Sequence, residues 1–284
     1  MLDILLAVLP AICWGSIVLV SVKLGGNAYS QTLGITFGAL VFSIGALLIK
    51  TPDWNTTAWV VGIISGALWS VGQLGQLVSV KYMGVSKTVP ISTGLQLVGT
   101  SLFGVIVFNE WSTQTQIIVG IIALILIIAG VILNSIGKDE QEESNKEFKK
   151  GMIVLLISTL GFIGYVVIIR WFEIDGWTAV LPQAIGMLIG ALLMGLRNNP
   201  FTKYAVRNIL TGLIWAAGNI ALLISIPRIG VATSFSLSQT GIVISTLGGV
   251  FLLGEKKSKK RIVMIIIGCI LVIAGGVLLG YTKK

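Results

Sequence analysis

Trp69, Gln73 and Gln76 stand at positions i, i+4 and i+7 of one apolar run, a spacing that puts them on one face of a helix. A carboxamide donates and accepts hydrogen bonds, so it matches a hydroxyl group, which does both. A flat indole matches the apolar C–H face of a pyranose ring. Trp215 and Asn219 repeat the face of Trp69 and Gln73 in a later run. Thr93, Gln96 and Thr100 share a face of another, Ser234, Ser238 and Gln239 lie together in a further one, and Trp14 and Tyr165 sit in two more. Gln31 and Gln183 occupy matching places in a repeated motif. Amides, hydroxyls and tryptophans without charge are a chemistry for holding a small, neutral, polar molecule, and these residues, Thr100 apart, are the fourteen of the candidate binding set. Amides and hydroxyls in apolar helices also tie helices together, for about 0.6 kcal/mol each. That use suffices for a lone Ser or Thr. Two glutamines and a tryptophan on one face exceed what packing needs.

The missing residues narrow the chemistry further. There is no histidine, which removes the commonest general base and metal ligand. Cys13 and Cys269 lie inside apolar runs, with no spacing that suggests metal ligands, and read as small packing residues. Neither a nucleophile with its base nor a metal cluster is legible, so an enzyme is not expected, nor is a cofactor or metal. No Asp, Glu, Lys or Arg falls in the middle of an apolar run. A charge at a bilayer centre costs about 2.5–3.5 kcal/mol on insertion scales and usually marks function. Its absence points to a neutral ligand. Glu110, Glu255 and Asp3 are the acids near run ends that could carry a proton, with Glu173 and Asp175 further out. Solvation in a loop is the alternative for Glu110 and Glu255.

The elements that must position these residues follow from composition. Of 284 residues, 55% are hydrophobic and 11% charged, against a usual charged share of about 25%. Mean hydropathy is +0.97. So few charges cannot dress a water-soluble surface, and the lipid bilayer is the expected solvent. The net charge of +9 then reflects cytoplasmic loops rather than nucleic acid. The first run has no basic leader and reads as a span, not a cleaved signal. A bilayer core needs about 20 apolar residues per helix. Runs of that size lie near 2–22, 29–49, 56–80, 85–108 and 115–136, then near 151–170, 177–196, 207–226, 229–253 and 261–281. The hydrophilic stretch 137–150 separates them. The expected fold is an all-α membrane protein of ten transmembrane helices, divided into 1–136, a charged linker 137–150, and 151–284. Trp54, Trp59, Trp111 and Trp177 read as interface anchors. Pro90 and Pro182, six residues into their runs, read as either kinks or hinges.

The two halves repeat each other. Gln31-x-x-Gly34-x-x-x-Gly38-Ala39-Leu40 recurs as Gln183-x-x-Gly186-x-x-x-Gly190-Ala191-Leu192. Gly66-x-x-Trp69-x-x-Gly72-Gln73 recurs as Gly212-x-x-Trp215-x-x-Gly218-Asn219, and Gly84-Val85 as Gly230-Val231. Glu110 and Glu255 each follow the fourth run of a half. Five helices per half require the second half to enter the membrane upside down. Loop charge agrees: fifteen of the 20 lysines and arginines lie on one side, counting Lys87 and Arg207 at the mouths of spans. Lys50, Arg170, Arg228, Lys283 and Lys284 lie on the other. This predicts inverted repeats with the 137–150 linker in the cytoplasm and both termini outside, a plan common among secondary transporters.

Four segments carry a family resemblance: Pro10-Ala11-x-x-Trp14-Gly15-Ser16, Gly66-Ala67-Leu68-Trp69-x-x-Gly72-Gln73-x-x-Gln76-Leu77, the stretch Pro90 to Thr100, and the stretch Gly230 to Gln239. They resemble the bacterial glucose/ribose uptake family of the drug/metabolite transporter superfamily, on its glucose side, and the resemblance spans essentially the whole chain. It implies ten helices, sugar import across the cytoplasmic membrane and coupling to protons. The residues agree with the first two and show no obvious proton carrier. The alternatives are a facilitative sugar carrier and an exporter of amino acids or other small metabolites, since one fold serves many functions.

Overall fold

The computed structural model describes residues 2–48, 51–136, 145–229, 237–238 and 240–282. Among them every regular element is helical. The α-helices are α1 (Leu2–Leu24), α2 (Ala28–Ala46), α3 (Thr56–Met83), α4 (Val85–Phe108), α5 (Gln114–Ser135), α6 (Asn145–Trp171), α7 (Gly176–Gly195), α8 (Lys203–Ile229), α9 (Gly241–Phe251) and α10 (Lys259–Thr282). Seven of them, α3 to α8 and α10, are long and apolar enough to cross a membrane. Val8–Leu24 of α1 and all of α9 are shorter apolar helices. The 19-residue α2 is diluted by Ser30, Gln31 and Thr32. The expected ninth run is described only in part, because 230–236 and 239 lie outside the described residues.

Short polar caps explain the abrupt starts. Asn27 accepts from Ser30 N at 2.8 Å and Asn55 from Ala58 N at 2.7 Å. Asp175 accepts from Trp177 N and Thr178 N, and Thr113 with Gln116 closes a capping box on α5. Each satisfies N–H groups that have no acceptor within their own helix. Among boundaries that differ from the sequence reading, α6 begins at Asn145, inside the charged linker. Lysine and glutamate are good helix formers, and Phe148 packs on the cluster of Met83, Ile91 and Leu155, so the helix extends past its apolar run. Both internal prolines are carried within continuous helices. The Thr178 carbonyl, which Pro182 cannot serve, takes Trp54 Nε1 instead at 3.1 Å.

Helices pack mainly across the two halves of the chain. The helix α3 lies on α6 and α7, α8 lies on α1 and α2, α2 touches α7, and α5 lies along α10. The motif glycines set these approaches. A Cβ on Gly212 would fall 2.1 Å from Ile35 O, and one on Gly66 would fall 2.0 Å from Gln183 O. A Cβ on Gly130 would lie 2.6 Å from Gly268 O, and one on Gly275 2.6 Å from Ala123 O. Helix ends are exchanged in the same reciprocal way. The buried Arg261 of α10 donates to Leu133 O at 3.0 Å, Asn134 O at 2.5 Å and Ile136 O at the end of α5. Gln116 of α5 donates to Thr282 O at 3.3 Å at the end of α10. The outer face is apolar, as Ile118, Ile121 and Ile125 of α5 and Ile153, Ile157 and Leu160 of α6 show by their exposure.

Candidate functional site

Four aromatic residues singled out in the sequence converge from four helices. Trp69 of α3 and Trp215 of α8 bring their rings to 5.0 Å at 59°. Trp69 also meets Phe162 of α6 edge-on at 6.2 Å, an arrangement aromatic pairs favour. Trp14 of α1 donates its indole N–H to Trp215 O at 3.2 Å. Trp14, Tyr165 and Trp215 pack on the cluster that contains Trp69, Ile35, Leu77 and Val89. The cluster thus draws on both halves of the chain.

Beside it stands an unusual amide. Gln73, one turn beyond Trp69, is 3% exposed, and its Nε2 has no hydrogen-bond partner. A buried donor left unmade costs about 1–3 kcal/mol, so a fold that keeps one either bears a strain or awaits a partner. Asn219 holds the matching place after Trp215 and is half-buried.

A second polar group lies one turn further along α3. Gln76 Nε2 and Gln96 Nε2 both donate to the hydroxyl of the fully buried Ser92, at 2.9 Å and 3.0 Å. The two bonds occupy both acceptor sites of that hydroxyl and fix the planes of the two carboxamides. Among the described residues none donates to Gln76 Oε1 or Gln96 Oε1. The sequence reading passed over Ser92, although its i, i+4 spacing from Gln96 was a usable signal. Thr93 is half-buried beside it, and Thr100 returns its hydroxyl to Gln96 O at 2.8 Å.

Other candidates stand elsewhere. Gln31 Nε2 donates to Ser21 O at 3.0 Å and Gly25 O at 3.4 Å, bracing the α1–α2 turn. Gln183 Nε2 donates to Ser65 Oγ at 2.9 Å, and Ser65 donates to Tyr165 O at 2.8 Å, joining α7, α3 and α6. Their donors are spent on helix contacts. Ser238 is buried; Ser234 and Gln239 fall outside the described residues. Asp3 lies in α1, with its side chain outside them too. Neither loop glutamate is a simple solvated acid. Glu110 pairs with Arg170 Nη2 at 2.8 Å. Glu255 accepts from Val85 N, Ser86 N and the Ser86 hydroxyl, with Lys257 Nζ at 3.8 Å.

An open hollow of about 340 Å³ lies away from the amides, between α3, α4 and α6, walled by Leu68, Phe103, Gly164, Ile168, Trp171 and Phe172. It offers no side-chain hydrogen-bond acceptor, and its lining suits apolar chains rather than a polyhydroxylated molecule. The amide and tryptophan cluster is the better match to a polar ligand on chemistry alone.

Comparison with known proteins agrees with a transport role. Residues 5–282 match the family model described as "Sugar transport protein". The chain is 61% identical to the "Probable glucose uptake protein GlcU" of Priestia megaterium, over all of both chains. It is 59% identical to the "Glucose uptake protein GlcU" of Bacillus subtilis strain 168, over 99% of each. A solved crystal structure at 15% identity superposes with a TM-score of 0.64, covering 98% of this chain and 96% of the other, which supports the fold alone. The family and the two uptake proteins are transporters and not enzymes. The chain belongs to the sugar transport protein family.

Proposed function

We propose that the protein imports glucose across the cytoplasmic membrane by alternating access, with the sugar held between Trp69, Trp215, Gln73, Gln76 and Gln96. The observation that carries this reading is the buried, unpartnered Nε2 of Gln73 beside the Trp69–Trp215 pair. A sugar hydroxyl would accept from that Nε2, the Ser92-oriented amides would accept from others, and an indole would cover a C–H face. The names of relatives that share well over half their residues with this chain support glucose as the hexose.

The reading takes the halves 1–136 and 151–284 as inverted repeats, with the linker in the cytoplasm and both termini outside. Reciprocal contacts support it. The Gly130 approach to Gly268 is answered by Gly275 and Ala123, and Arg261 capping α5 is answered by Gln116 capping α10. In the glycine exchange both positions are displaced by the same 145 residues, as a two-fold relation requires, and the same offset relates Gln116 to Arg261. Two such halves can exchange shapes around a site that both contribute to.

Proton coupling is the finer part of the proposal. It rests on the family resemblance, with Glu110, Glu255 and Asp3 as the acids available. The test is labelled glucose uptake into vesicles of purified protein, with and without an inward proton gradient. Saturable uptake that accumulates above equilibrium and collapses with an uncoupler is the expected result. Uptake that only equilibrates would make the protein a facilitative carrier. No uptake of glucose or of a panel of neutral sugars would overturn the reading and favour export of another small metabolite.

A further inference from the structure

We propose that the first turn of α4 is a gate at one face of the transporter, with Glu255 as its latch and Pro90 as its hinge; the proposal rests on the alternating-access reading above. Val85 and Ser86 open α4, so their N–H groups have no acceptor within the helix. They are served from the other half of the chain. The Glu255 carboxylate, in the α9–α10 connection, accepts from Val85 N, from Ser86 N at 3.2 Å and from the Ser86 hydroxyl. A carboxylate there also faces the positive end of the α4 dipole. The close approach needs two glycines, one from each half. Gly84 holds φ +75°, and a Cβ on it would lie 2.8 Å from Glu255 Oε1; a Cβ on Gly249 would lie 3.0 Å from Ser86 N.

The same turn is loosely joined to its own helix. Pro90 has no N–H, so the Ser86 carbonyl loses the donor four residues on. Inside the turn, Thr88 is fully buried and its hydroxyl has no partner. A turn capped by the opposite half, missing one bond to its own helix at Pro90, and enclosing a hydroxyl without a partner, is built to open. Glu110 makes the matching backbone contact, Glu110 N to Gly104 O at 3.2 Å against Glu255 N to Gly249 O at 3.2 Å. Its carboxylate, however, is held by Arg170. This conformation therefore has the latch closed at the Glu255 face.

The test is the rate at which a maleimide labels Thr88→Cys in full-length protein in detergent, with Cys13 and Cys269 replaced by alanine. Labelling is slow while the latch holds. Adding Glu255→Ala, or the milder Ser86→Ala, is expected to raise the rate about ten-fold or more by shifting the closed and open populations. Pro90→Ala, which restores the donor to Ser86 O, is expected to lower it. An unchanged rate in both latch variants, with only a lower melting temperature, would overturn the gate and leave Glu255 as a plain helix cap. Glucose uptake by the wild type, measured separately in vesicles, tests the transport reading. Its failure would leave the labelling result standing, and the reverse holds.

Discussion

Replacing Gln73 by leucine separates a binding amide from a structural one, because the two roles predict opposite signs for stability. The Nε2 of Gln73 is buried without a partner, and such a group destabilises the fold by about 1–3 kcal/mol. Leucine has a similar length, fits the neighbouring apolar cluster, and removes that penalty. With a melting shift of roughly 2–4 °C per kcal/mol for chains approaching this size, the variant should melt a few degrees higher than the wild type. The same change leaves a sugar hydroxyl unpaired in a dry site, a loss of about 1–3 kcal/mol, which is about 5- to 150-fold in affinity. The assay is thermal unfolding in detergent beside glucose uptake kinetics in vesicles. A given concentration of glucose should raise the melting temperature of the wild type more than that of Gln73→Leu. A variant that melts lower and transports with an unchanged half-saturation constant would refute the reasoning and make Gln73 a packing residue.

Further outcomes follow from the same geometry. Trp215→Ala removes the ring 5.0 Å from Trp69 and should raise the half-saturation constant for glucose at least about ten-fold, a loss of about 1.4 kcal/mol, while expression stays near normal; comparable losses from changes on the lipid-facing surface of α5 would sink the idea of a specific pocket. Ser92→Ala releases the amides of Gln76 and Gln96 and should weaken uptake several-fold, with Ser92→Thr rescuing part of it, as judged by half-saturation against maximal rate. Gly212→Ala would put a Cβ 2.1 Å from Ile35 O; the overpacking costs about 1–3 kcal/mol and should appear as a lower melting temperature, with glucose affinity much less affected in the protein that folds.

The helices were legible because a bilayer sets their length, and the repeat was legible because its glycines sit where backbones must touch. Gly66 and Gly212 stood out in the sequence, and each meets a backbone oxygen of the opposite half. The convergence of the candidate site's aromatic part was legible, since Trp14, Trp69, Tyr165 and Trp215 pack in one cluster. Amides were harder, because residue type does not say whom a carboxamide faces. Gln31 and Gln183 occupy matching motif positions, yet one braces a turn and the other ties three helices. Ser92 looked like an ordinary helical serine until α3 brought Gln76 to it. The partners of Glu110 and Glu255 were invisible for the same reason: Arg170 and Ser86 are 60 and 169 residues away in sequence.

The duplicated frame proposed above creates a difficulty that the proposed site resolves. Two identical halves around an axis would make a two-fold symmetric pocket, and a hexose has no such symmetry. The offset of 146 residues that maps Trp69 to Trp215 maps Gln73 to Asn219, Gln76 to Leu222, Ser92 to Ser238 and Gln96 to Ile242. The tryptophans are kept on both sides, whereas the two glutamines paired through Ser92 correspond to aliphatic residues in the other half. Ile242 is accordingly buried at 4%, inside the apolar cluster with Leu97 and Ile265. The carboxamides held by Ser92 thus come from α3 and α4 alone, and such an unequal lining suits a ring that is polar at its edge and apolar on its face. The hinge is one-sided as well, because Pro90 maps to Ser236. Under the proposed reading, symmetry supplies the two interchangeable shapes of the carrier, and the few positions where the halves disagree supply the recognition of the sugar and the unequal behaviour of the two gates.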